Sequence, residues 1–466
     1  MNCSGVAVGH PDTALRTLAG AARALAAGEI TSRALVERCL ERALDPAGEG
    51  VRAFTRLDAE QARATADAID RMRKAGTQPG RHAGIPIAVK DLFDVAGQVT
   101  TAGSRVLSDR APAEYDATAV ARLRAHGFVI VGRNNMTEFA YSGLGMNHHY
   151  GTPANPWRRD ERRIPGGSSS GAAVSVADAM AVAALGTDTG GSCRIPAALS
   201  GVTGFKPTAA RVPRDGVIPL SSSLDSVGPL AASVSCCVIL DSILAGQTVE
   251  EPVPFPVAGL RVGLPGRYVM NGIDDTVAAA WERALGRLSD AGARIVELGL
   301  DVLDEIPRIN ARGGLVGAEA YAWHRSLLES KSHLYDPWVL QRFEAGRSQS
   351  AADYIDTIES RRRLQQVVRE RTAGVDVLVA PTVPIVAPRC EELADVETAN
   401  RTNLFLLRNP ALVNFLDGCA ISLPCHRAGE APVGLMLIAG TGEDRRLLAI
   451  ASAVEAVLGG GSSVAH

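Results

Sequence analysis

Aromatic residues are scarce, 4% of 466, which leaves little material for the stacking platforms that single-stranded nucleic acid requires. No charge excess exists either. Lys and Arg total 48 against 51 Asp and Glu, a formal net charge of −3 spread along the chain. That balance argues against nucleic acid or anionic membrane as the main partner. The eight cysteines form no CxxC pair and no regular framework. Most sit in apolar segments such as Ser235-Cys236-Cys237-Val238, where cysteine behaves as a small hydrophobe. A reducing, cytoplasmic setting is the simplest reading. The N-terminus lacks a basic segment followed by a long apolar run, so secretion is not expected. The longest apolar stretch, Ala172 to Leu185, carries Asp178 and is too short to span a bilayer.

What remains is ordinary soluble material, 46% apolar and 21% charged, punctuated by 47 glycines and 25 prolines. Residues 12–44 read as helices, the second starting at Thr31-Ser32. A charged helix follows over roughly 58–75. From Gly84 short strands alternate with helices: a buried strand at Ile85–Val89, a helix capped by Asp116 with Ala119, Val120 and Leu123 on its apolar face, and a strand at Phe128–Gly132. Ala172–Leu185 reads as one small-residue helix. Glu250–Gly259, with Pro252, Pro254 and Pro256, is the best candidate break. Strands at Leu260–Leu264, Arg294–Leu298, Val377–Ala380, Ala420–Leu423 and Gly434–Ile438 follow, interrupted by a mainly helical stretch at about 304–373. No internal repeat is visible, and the Gly/Ser tail at 459–463 is of low complexity. This alternation predicts an α/β layered fold whose sheet is covered on both faces. The organisation expected is one continuous core over 1–466, with the 304–373 helices as a lobe over one edge.

Chemistry concentrates in three places. Ser168 lies in Gly166-Gly167-Ser168-Ser169-Ser170-Gly171, and Ser192 lies 24 residues later in Gly190-Gly191-Ser192-Cys193-Arg194-Ile195-Pro196-Ala197. Lys90 ends the apolar run Gly84-Ile85-Pro86-Ile87-Ala88-Val89. A serine hydroxyl at its free pKa is a poor nucleophile and needs an adjacent base. Lysine serves as one only when neutral, and burial in an apolar strand drives it that way. The glycines at 186, 190 and 191 let backbone N–H groups crowd round Ser192, which suits an oxyanion hole. A nucleophile, a relay hydroxyl and a base are thus present without any histidine. His148-His149 is the one pair inviting a metal reading; no carboxylate or cysteine neighbours it in sequence, so a loop pair is expected.

These segments, with Gly186-Thr187-Asp188-Thr189 and Gly201-Val202-Thr203-Gly204-Phe205-Lys206-Pro207-Thr208, resemble the amidase signature family. The likeness runs from about 13 to 457 and includes Gly132-Arg133-Asn134-Asn135-Met136-Thr137-Glu138-Phe139, Asn155-Pro156-Trp157, Leu224-Asp225-Ser226-Val227-Gly228-Pro229 and Ala380-Pro381-Thr382. The resemblance implies a three-layer α/β/α fold around a large mixed β-sheet. It implies Ser192 as nucleophile, Ser168 as relay after a cis peptide at Gly167, and Lys90 as ultimate base. It further implies an oxyanion hole from the N–H groups of Thr189, Gly190, Gly191 and Ser192, with the Ala140 carbonyl beside the acyl site. No cofactor or metal is implied; a small-molecule amide is the expected partner, and a homodimer is a family-level expectation.

The chain departs from the family pattern at three points. Cys193 replaces an aliphatic residue and is expected in the core or a pocket wall. Asn414–Ala420, with Asp417, replaces a small-residue and proline pattern. Arg133 stands where glutamyl-tRNA amidotransferase A subunits usually carry lysine. The last two favour a stand-alone amidohydrolase over the glutaminase component of such an amidotransferase, which is the alternative reading; urea-like or ester substrates would use the same triad. A phosphate-cradling binding protein fails because Gly166–Gly171 lacks the GxxxxGK[ST] spacing. Asp188 and Arg194 are expected to order the turn, and Ser169 and Ser170 to support it. Trp323, Tyr335, Trp338 and Phe343 are expected to pack the lobe, with an aromatic-accepting pocket as the other use.

Overall fold

The computed structural model describes residues 14–459 apart from 78, 251, 252 and 254. Cys3, Pro252, Pro254 and the tail beyond 459 lie outside the described residues. Eleven strands form one sheet: β1 (Phe54–Leu57), β2 (Pro86–Lys90), β3 (Val129–Asn134), β4 (Ala183–Asp188), β5 (Thr203–Lys206), β6 (Ser226–Ala231), β7 (Arg261–Leu264), β8 (Arg294–Glu297), β9 (Val377–Pro381), β10 (Cys419–Pro424) and β11 (Gly434–Ala439). Their order is β1-β3-β2-β4-β6-β5-β10-β11-β9-β7-β8. Pairing is parallel for β3-β2-β4 and for β9-β7-β8, and antiparallel elsewhere. The sheet is therefore mixed, and it continues past Glu250–Gly259 without a break.

Both faces are covered, as the strand alternation requires. Along β2, Ile87 and Val89 join one apolar cluster with Leu123, Val227 and Ile239, whereas Ala88 joins the opposite cluster with Val36, Leu40, Ala66 and Ala173. Helices Ser32–Leu44, Ala59–Lys74 and Ser170–Ala177 pack on that second face. Thr31 caps the first of them, its hydroxyl accepting from Ala34 N–H as the sequence signal predicts.

Two expectations are corrected. Ala172–Leu185 is not one helix: the helix spans Ser170–Ala177, Asp178 ends it, Ala179 turns left-handed (φ 53°), and Ala183 begins β4. A strand buried on both faces reads as a continuous apolar run, so its sequence merged with that of the helix. Nor does Asp116 cap the helix Thr118–Ala125, whose cap position is Ala117 with no side-chain bond. Asp116 instead accepts from Ala96 N–H at 2.8 Å and pairs with Arg124. Sequence reasoning also passed over β1, β5 and β6.

Candidate active site

Two strand ends and two helix starts carry Lys90, Ser168 and Ser192. Lys90 is the last residue of β2, between β3 and β4, and its side chain is wholly buried. Its Nζ donates to Ser168 Oγ and to Thr187 Oγ1, both at 2.8 Å. Burial lowers its pKa to about 8 from 10.5, against the smaller opposing pull of Cys193, Asp188 and Asp225. Close to neutral pH a usable fraction is therefore unprotonated.

Ser168 follows a cis Gly167–Ser168 peptide and is fully buried. Gly167 N–H donates to Gly143 O and Ser168 O accepts from Thr137 N–H, so residues 137–143 wrap the serine turn. Within that wrap Phe139 and Ala140 both adopt left-handed backbone (φ 49° and 61°). At Gly171, a Cβ would lie 2.1 Å from Ala53 O, so only glycine lets this helix start so close to its neighbour.

Ser192 sits in the turn between β4 and the helix Arg194–Ser200, and Ser169 N–H donates to its carbonyl at 3.3 Å. That bond joins the two serine turns. Ser192 Oγ itself has no hydrogen-bond partner among the described residues, and neither does the N–H of Gly190 or Ser192. The Ser192 hydroxyl and these two N–H groups thus stand unengaged. Gly191 differs: its N–H donates to Asp188 Oδ1 at 2.8 Å. Its backbone (φ 129°) passes where a Cβ would meet Pro410 at 2.7 Å, and that is what requires glycine.

Asp188 organises this turn. Its carboxylate accepts from Gly191 and Cys193 N–H, from Nε and Nη2 of Arg194, and from Asn414 Nδ2. Burial alone would raise its pKa, but Arg194 and Lys206 hold it well below the usual carboxylate range. Asp188 and Arg194 are both fully buried. Cys193 is buried as well, its thiol pushed up by burial, with Sγ facing Gly228 O at 3.6 Å. A thiolate nucleophile is unavailable there.

A match to the family model described as Amidase spans residues 34–448. The chain belongs to the amidase family. The 2-amino-5-chloromuconic acid deaminase of Comamonas testosteroni is 37% identical over 462 residues, covering 96% of this chain and 97% of that protein. The A subunit of a glutamyl-tRNA(Gln) amidotransferase from a Roseiflexus species is also 37% identical, over 489 residues, covering 95% and 96%. A crystal structure of an amidase superposes with a TM-score of 0.86 at 35% identity, covering 95% of this chain and all of that one. The native peptide amidase of Stenotrophomonas maltophilia superposes at 0.79 with 26% identity, covering 95% and 97%. The chain is accordingly a hydrolase of amide C–N bonds.

The remaining features of this amidase are placed as follows. His148 and His149 find carboxylates brought by the fold: His148 Nδ1 meets Asp336 Oδ2 at 2.5 Å and His149 Nε2 meets Glu138 Oε1 at 2.8 Å. No group of three or more metal-ligating side chains occurs among the described residues. Tyr335, Phe343, Trp323 and His324 pack round Phe139. Trp338 lies edge-on to His148. Asp417 (φ 59°) closes the turn after the helix Val396–Phe415. Arg133 is buried and bonds Asp91 Oδ1 at 2.6 Å and the carbonyls of Asp91 and Phe93, so it braces the end of β2. Thr187 and Lys206 were not singled out from the sequence. Thr187 shares Lys90 Nζ, and Lys206 is a second buried lysine, lowered to about 8 by burial and by Arg194, that donates to Pro207 O and Gly418 O. No helix of the described residues is long and apolar enough to cross a membrane.

Proposed function

We propose that this protein is a stand-alone amidase that cleaves a small-molecule carboxamide through Ser192, Ser168 and Lys90. The observation that supports this most is the wholly buried Lys90 amine 2.8 Å from Ser168 Oγ. Neutral Lys90 accepts a proton from Ser168 while Ser168 takes one from Ser192, and Ser192 Oγ attacks the amide carbon. The N–H groups of Gly190 and Ser192, with Thr189 beside them, receive the developing oxyanion; each critical donor contributes roughly 3–4 kcal/mol. Ser168 then protonates the leaving nitrogen, ammonia or amine departs, and water hydrolyses the acyl-enzyme by the reverse proton path. Ala140 O lies beside the acyl group in this reading.

Arg133 and the Asn414–Ala420 segment favour the stand-alone enzyme over the glutaminase component of a tRNA-dependent amidotransferase. The test is ammonia release by wild type and Ser192→Ala from aliphatic, aromatic and peptide amides, glutamine, and 2-amino-5-chloromuconic acid. Turnover of one or more small compounds, abolished by the substitution, supports the proposal. Glutamine as the sole substrate would replace it with the amidotransferase reading. Undiminished activity in Ser192→Ala would remove the triad.

A further inference from the structure

Glu319 lies on the helix Gly314–Lys331, outside the sheet and outside the triad. Its carboxylate is half-buried and accepts four hydrogen bonds: from the hydroxyls of Ser221 and Ser223, from Ser223 N–H at 3.0 Å, and from Tyr354 OH at 2.7 Å. No Lys, Arg or His forms a salt bridge with it among the described residues. Burial raises its pKa, but those four bonds outweigh it and the net direction is down. A half-buried carboxylate whose hydrogen bonds all come from neutral donors leans on each of them, because every bond lost leaves charge less well solvated.

Three of the four donors belong to Ser221 and Ser223, and Ser221 is shared. Its N–H donates to Asp225 Oδ2 at 3.1 Å while its hydroxyl donates to Glu319. Leu220 N–H donates to the same Asp225 oxygen at 3.0 Å, and the other oxygen accepts from Thr189 Oγ1 at 2.5 Å. Asp225 and Thr189 are both buried. Thr189 directly precedes Gly190. A continuous path of hydrogen bonds therefore runs from the helical segment, through Ser221 and Asp225, to the strand end that carries the unengaged N–H groups. Tyr354, on the helix Ala351–Thr372, ties a second helix of that segment to the same carboxylate.

We infer that Glu319 is a positioning residue for the oxyanion turn, acting through Ser221, Asp225 and Thr189. This rests on the reading of Ser192 as nucleophile. Glutamine has nearly the same shape but presents one acceptor atom instead of two, so it surrenders the bonds on one side of the group. Donors aimed at the oxyanion act in the transition state, so misplacing them lowers kcat more than it raises KM.

The experiment uses the purified full-length enzyme and a small amide that it turns over, with Glu319→Gln, Tyr354→Phe, Thr189→Val and the double variant Glu319→Gln/Thr189→Val. Glu319→Gln is expected to lower kcat roughly tenfold with KM within about twofold, and Tyr354→Phe to do the same more weakly. The double variant should lose little beyond the larger single loss, because both changes break one path. Losses that multiply in the double variant, or a Glu319→Gln enzyme that melts earlier at unchanged kcat, would overturn the inference. A rise in KM at unchanged kcat would do so too. Full activity in Ser192→Ala overturns the underlying reading instead, so the two failures are told apart.

Discussion

The buried lysine makes a pH dependence that can be worked out in advance. With its ordinary value of 10.5, Lys90 would be neutral in ~0.03% of molecules at pH 7. Lowered to about 8, it is neutral in ~10%, a gain of roughly 300-fold in base-competent enzyme. The expected profile of log kcat/KM therefore rises with unit slope below pH 8 and levels above it, reporting the free enzyme. Ammonia release from an amide with no group titrating between pH 6 and 10 measures it. Lys206 is lowered to a similar value, so Lys206→Met is the control and should retain the limb. Lys90→Met should lose it together with most activity. A limb centred near pH 10, or one that survives in the residual activity of Lys90→Met, would refute Lys90 as the base. Stability carries the same signature. Because the folded pKa lies below the unfolded one, the unfolded chain binds more protons between pH 8 and 10.5. The Lys90 contribution to stability thus rises with pH across that window, by up to about 3 kcal/mol, and is flat below it.

Ser168→Ala leaves the nucleophile in place but removes the proton path, and should cost roughly 10²–10⁴ in kcat, read by the same ammonia assay. Gly191→Ala should fail to fold or lose activity, because its Cβ meets Pro410 at 2.7 Å and Ile195 at 2.8 Å. Gly286→Ala, mid-helix with nothing within 4 Å, should instead raise stability by about 0.5–1 kcal/mol in urea unfolding. His148 is raised by its bond to Asp336, so the pair's contribution is fully present below the unfolded histidine pKa and fades as pH climbs through the folded one. NMR titration of the His148 ring in wild type and Asp336→Asn should show the midpoint falling in the variant.

Ser168, Ser192 and Lys90 stood out in the sequence because each sits where local backbone chemistry is distinctive: two Gly-Ser turns and a lysine closing an Ile-Pro-Ile-Ala-Val run, and the fold brings Lys90 against Ser168. Strands β5 and β6 were not, since Thr203-Gly204-Phe205-Lys206 is four residues long and Ser226–Ala231 contains Gly228 and Pro229, both breakers in a sequence reading. The sheet tolerates Pro229 opposite Leu185 because its neighbours complete the ladder. Histidines 148 and 149 looked isolated because Asp336 lies 188 positions from His148 and Glu138 is brought round by a left-handed turn. The bond from Gly191 N–H to Asp188 was equally hidden. It depends on which way the Asp188 carboxylate faces, and no residue spacing encodes that.

That carboxylate also bears on Lys90, the proposed base. Asp188 attracts charge to Lys90 and so pulls its pKa upward, against catalysis. The turn needs Asp188 for the N–H groups of Gly191 and Cys193, so the enzyme keeps it and neutralises it. Arg194 bonds both carboxylate oxygens, at 2.8 and 3.0 Å, with no solvent to share the charge. Replacing Arg194 with Leu would leave Asp188 balanced only by the buried lysines Lys206 and Lys90. The expected cost is ~3–5 kcal/mol in unfolding, the usual result of stranding one buried partner. A variant that still folds carries the sharper result: with Asp188 less screened, the activity limb should move above pH 8, and kcat/KM at pH 7 should fall more than the plateau does. A limb unmoved at pH 8 in a folded Arg194→Leu enzyme would mean that Asp188 does not act on Lys90, and that Arg194 serves the turn alone.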